Sequence, residues 1–69
     1  MTQKELLYLE DAISHEHILI NICNETINNL EDEELISFIE DEINIHETNK
    51  NNLMKLLEDI ANEWWNVNE

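Results

Sequence analysis

Apolar and polar residues follow one another along this chain with the three-and-four spacing of amphipathic helices. One row of eight positions runs Leu6, Leu9, Ile13, Glu16, Ile20, Cys23, Ile27 and Leu30. A second runs Leu35, Ile39, Glu42, His46, Asn49, Leu53, Leu56 and Ile60. Rows of this period face another helix, so their members are ordinarily apolar. Both turn polar near the middle, with a carboxylate in the first and a Glu/His/Asn cluster in the second. That break is the main chemical feature of the chain.

Local signals set the ends of the two rows. Thr2-Gln3-Lys4-Glu5 has the arrangement of a capping box, in which hydroxyl and carboxylate satisfy each other's backbone amides. The pattern then runs unbroken to Leu30, and Asn28-Asn29 supplies a stop, because asparagine tolerates the left-handed conformation that closes a helix. Asp32-Glu33-Glu34 follows, an aspartate N-cap with acids at the positive end of a second helix. Continuing the first row past Leu30 would put Glu34 and Ser37 in core positions, whereas restarting at Leu35 restores the apolar pattern. The expected fold is all-α, a single domain over residues 1–69 with helices near 3–29 and 33–63 and a turn at 30–32.

An antiparallel hairpin about that turn pairs positions whose numbers sum to about 65, as two helices joined by a short loop must. Leu9 would meet Leu56, Ile13 would meet Leu53, and Glu16 would meet Asn49, with Cys23 against Glu42 and Ile20 against Ile45 and His46. Much apolar surface stays outside this seam. Leu19, Phe38, Ile43, Ile45, Leu57, Trp64 and Trp65 are the candidate residues for a further interface, and a second copy of the chain is the simplest way to cover them. The expectation is a dimeric, ferritin-like four-helix bundle. Leu7, Ile18 and Ile22 lie off even that face and are available for further assembly. By this pairing Trp64 returns beside Met1 and Thr2, as an end-cap of the bundle or an anchor for a partner.

Composition narrows the function. The chain has no glycine and no proline, which argues for long helices and little loop. Three lysines, no arginine and seventeen acids give a net charge of −14. Direct nucleic-acid binding needs a basic patch and is excluded, and anionic membranes would repel such a chain. No segment reads as a membrane span or a secretion signal, so an intracellular protein is expected. Cys23 is the only cysteine, which rules out a disulfide framework and reads as core packing.

Two chemistries compete for the polar layer. Inward carboxylates and imidazoles are how helical bundles hold iron, zinc or manganese, and Glu16, Glu42 and His46 are the candidate ligands. Glu42 and His46 stand four apart, on one helical face. A buried polar layer also fixes register and partner number with no ion, Glu16 and His46 satisfying each other by a hydrogen bond. His15 and His17 flank Glu16 but point elsewhere and read as solvent-facing. No catalytic constellation is legible, and an enzyme is not expected.

Glu5-Leu6-Leu7-Tyr8-Leu9-Glu10-Asp11-Ala12, followed by His15-Glu16, resembles the first helix of the small spore-coat-F-like (CotF-like) proteins of spore-forming Firmicutes. Asp32 to Leu35, His46 and Leu53 fall where those proteins carry an acidic turn, a histidine and a leucine. The resemblance implies a ferritin-like helical hairpin or bundle in the spore coat, with other coat proteins as partners, and it points to Glu16 and His46. That family often carries His-x-x-His on the second helix; here Asn49 takes the second place, and amides are poor ligands for transition metals. The expected function is a small acidic structural or assembly protein. The alternative is a phage-type inhibitor whose carboxylates mimic nucleic acid in the basic groove of a DNA- or RNA-processing enzyme.

Overall fold

Two helices form where the pattern places them. α1 spans Gln3–Asn28 and α2 spans Glu33–Asn68. The computed structural model describes the backbone of residues 1–68 and the side chains of residues 1–63. α1 opens on the expected capping box: the Glu5 amide donates to the Thr2 hydroxyl oxygen at 3.1 Å, and the Thr2 amide donates to the Glu5 carboxylate at 3.0 Å. Both amides would otherwise lack partners at a helix start. α2 opens on Asp32, whose Oδ1 accepts from the amides of Glu34 at 2.9 Å and Leu35 at 3.1 Å. Glu33 and Glu34 follow in its first turn, where the helix dipole favours them.

The far end of α1 closes by a different device from the expected left-handed asparagine. Asn29 sits at φ −108° and ψ 3°, and no described residue has positive φ. Its amide donates to Thr26 O at 3.0 Å and the Leu30 amide to Ile27 O at 3.2 Å, tightening the last turn. The Asn29 side-chain amide donates to Glu25 O at 2.9 Å. These bonds occupy three terminal carbonyls, and no left-handed residue is needed. α2 outruns the expected stop at residue 63, because no glycine or proline follows Ile60 and the three-four spacing continues through Trp64 and Val67.

All eight positions of the first row are buried or half-buried, joined by Ala12 and Thr26. The second row is corrected at alternate places. Ile39, His46, Leu53 and Ile60 face α1 as expected, but their companions are Ile36, Ile43, Lys50 and Leu57. Leu35, Asn49 and Leu56 are exposed, and Glu42 is half-buried at the margin. The choice follows from burial energetics. The adopted row turns two isoleucines, a leucine and the aliphatic stem of Lys50 inward; the alternative would bury a glutamate and an asparagine together.

Glu16 meets His46 across the seam, so facing positions have numbers summing to 62. Glu16 therefore does not face Asn49; the register is three residues from the expected one. By this register Gln3 faces position 59, and α2 runs on past the start of α1. The expected return of Trp64 beside Met1 and Thr2, and the interface role of Trp64 and Trp65, fall on side chains outside the described residues. The result is a rod of 55 × 17 × 13 Å. Its radius of gyration is 16.1 Å, against about 11 Å for a compact chain of this length. Only Leu9 and Ile20 are buried among the described residues. No described helix is long and apolar enough to cross a membrane.

Candidate functional site: a glutamate–histidine pair in the hairpin seam

The two helices bring one chemically distinctive pair together at mid-length. Glu16 projects from α1 between Ile13 and Ile20 of the same row. His46 projects from α2 between Ile43 and Lys50, with Ile39 and Leu53 one full heptad away on either side. Their imidazole Nδ1 and carboxylate Oε2 lie 2.5 Å apart, with side chains 20% and 18% exposed for His46 and Glu16 respectively. With a proton on Nδ1 the ring donates to the carboxylate, and Nε2 lies outside the contact. Half-buried polar groups lose part of their hydration, and here each supplies the other's partner.

The wider expected layer is only partly assembled. Glu42 is half-buried one turn before His46, while Asn49 points to solvent and joins nothing. Cys23 is a free, half-buried thiol two turns from Glu16. Among the described residues no three His, Cys, Asp or Glu side chains are grouped so as to hold a metal ion within one chain. Two of the candidate residues, Glu16 and His46, are thus in contact; Glu42 of the same chain does not complete a third. His15 and His17 are exposed, as their off-seam positions imply.

Of the expected interface residues, Leu19, Phe38 and Ile45 are exposed, at 39%, 59% and 51%. Ile43 and Leu57 are half-buried in the single chain, because the hairpin's own seam takes them up. Leu35 and Leu56, which the three-four spacing of the second row turns inward, stand exposed beside the seam. The signal that would have placed them is the comparison of the two candidate rows: positions 36, 43, 50 and 57 are more apolar than 35, 42, 49 and 56.

The one described group with a resolved shift lies far from this pair. Glu5 is held below the usual glutamate range by the Thr2 backbone amide and then by the Thr2 hydroxyl. That belongs to the helix cap. In comparisons with known proteins the chain matches no protein family, no curated protein and no solved structure.

Proposed function

We propose that this chain is a small acidic structural protein that works by self-association, its hairpins packing into a dimeric, ferritin-like four-helix bundle. The observation that carries this reading is the imbalance between surface and interior. The chain exposes 5686 Å², against about 4,600 Å² for a folded monomer of its mass and about 12,000 Å² unfolded. No side chain among the described residues is fully buried, while large apolar residues from Leu7 to Leu56 stand about half exposed. A hairpin of this kind is half of a core. The resemblance to spore-coat-F-like proteins supplies the setting, a spore coat, with other coat proteins as neighbours.

Glu16 and His46 act in this reading as a register pin, the polar pair that makes one alignment of the helices better than its neighbours. A divalent iron, zinc or manganese ion in the bundle core would draw on these two residues, with Glu42 or a second copy of the chain supplying the remainder. The decisive experiment is fractionation of spores from the source organism. The protein is expected in the coat extract, in complexes larger than one chain. Its absence there would overturn the coat assignment.

The acidic mimic of nucleic acid stands as a second reading, favoured by the placement of charge. Glu10, Glu33, Glu40 and Glu47 share one exposed flank of the hairpin, backed by Asp11, Glu34 and Asp41. Recovery of one basic DNA- or RNA-processing enzyme on the immobilised protein at low salt would support it against the coat reading.

A further inference from the structure

The exposed apolar residues are not scattered around the rod. With the seam positions labelled a and d of a heptad, Leu6, Ile13, Ile20 and Ile27 take a on α1, and Ile36, Ile43, Lys50 and Leu57 take a on α2. In an antiparallel pair the g positions of both helices border one side of the seam, and the e positions border the other. The burial pattern distinguishes the two sides sharply. It spreads onto Ala12, Thr26 and Glu42, all at g, whereas every described e position on both helices is exposed.

That same g side carries a second three-four row on each helix, made of g and c positions. On α1 it includes Tyr8, Leu19 and Ile22; on α2 it includes Leu35, Phe38, Ile45 and Leu56. These are seven of the eleven large apolar residues that stand exposed among the described residues, each between 39% and 61% open. Of the seventeen acids only Glu5, Glu42, Asp59 and Glu63 fall on this face, and Glu5 is engaged in the capping box. The opposite side has the reverse composition, with glutamates at four of its e positions.

We propose that a second copy of the chain covers the g/c face, so that two hairpins stack face to face. This rests on the self-association reading above and specifies the surface that performs it. Three observations favour a second copy over another occupant. The face repeats the heptad period that each helix already uses against its partner, so its natural complement is another pair of helices of the same spacing. The chain exposes about 1,100 Å² more than a compact monomer of its mass, which exceeds the roughly 800 Å² that each partner buries in a stable interface. The charge is arranged for it as well. At −14 per chain, two copies can approach only where acids are sparse, and this face leaves the e and f acids on the outer walls.

The test pairs charge insertion with footprinting. The double variant Leu19→Glu/Phe38→Glu on the g/c face is compared with Leu7→Glu/Ile18→Glu on the back, by sedimentation of the full chain. The wild-type and back-face proteins should run at twice the 8.3 kDa chain mass, and the g/c variant should run as one chain. Because charge insertion can unfold a small hairpin, a second measurement keeps the fold intact. In a Cys23→Ser background, Ile45→Cys should react with maleimide at least tenfold more slowly than Ile18→Cys, and dilution should abolish the difference. If the wild type associates but Ile18→Cys is the protected site, the face is wrong and self-association stands. A wild type that stays a folded monomer at all concentrations overturns both.

Discussion

A glutamate and a histidine bonded to each other among isoleucines hold two helices less strongly than packed leucines would. In the proposed reading, what they add is selectivity between alignments. Sliding α2 by one heptad past α1 keeps most apolar contacts but strands both polar groups, and an unsatisfied group of this kind costs about 1–3 kcal/mol. His46→Ala is therefore expected to destabilise the hairpin by about 1–2 kcal/mol, lowering Tm by roughly 4–8 °C per kcal/mol in a chain of this size. Replacing both partners, Glu16→Leu with His46→Leu, should leave thermal stability equal or higher while widening the distribution of assembled species. Calorimetry reads the first effect and sedimentation the second. A double variant less stable than either single one would show that the pair is more than a pin. Added zinc, iron or manganese is expected to leave the wild-type Tm unchanged; a rise abolished by His46→Ala would instead reveal a metal centre.

At the scale of the helices, both starts and the place where α1 ends were legible, but the device that closes α1 was not. Thr2/Glu5 and Asp32 act through side chains on amides two or three residues away, so their roles can be read from local sequence. The end of α1 depended on a choice among three ways of satisfying carbonyls, and the tightened turn at Asn29 needs no special residue. The Glu16–His46 hydrogen bond was legible as one reading of the polar layer, although the count of facing positions set Glu16 against Asn49, three residues further on. The second row was ambiguous for a related reason: rows 35/42/49/56 and 36/43/50/57 share the companions Ile39, His46, Leu53 and Ile60. Only the cost of burying Glu42 and Asn49 decides between them. Asp32→Ala should remove the cap of α2 and cost about 1 kcal/mol, measurable by chemical denaturation. Asn29→Gly should bring no gain, since φ there is already negative.

The caps also carry a pH dependence. Glu5 has its folded pKa depressed by Thr2, so the folded state favours the carboxylate. Its contribution is present above the unfolded glutamate value near 4.3 and is lost as pH falls through the lower folded one. Hydrogen exchange at the Thr2 and Glu5 amides, corrected for intrinsic rates, should lose protection in that acid range in the wild type. Glu5→Gln, which removes the titrating carboxylate, should show no such step.

For the whole molecule the governing quantity is a charge of −14 on a rod 55 Å long. At about 0.01 M salt the screening length is roughly 30 Å, and acids along most of the rod repel one another; at about 0.15 M it is roughly 8 Å, and only adjacent turns do. Folding concentrates these charges and docking two chains concentrates them further, so salt must favour both. The expected result is a Tm that rises steeply between those two concentrations and a dimer that dilutes apart less readily as salt increases. A basic partner would respond in the opposite sense, since attraction between unlike charges is what screening removes. One salt titration followed by sedimentation thus separates the two readings of this surface. Self-association that strengthens with salt assigns the work to the apolar face. A complex that forms at low salt and dissolves at about 0.15 M, the range where the acid flank is screened, assigns it to the carboxylates.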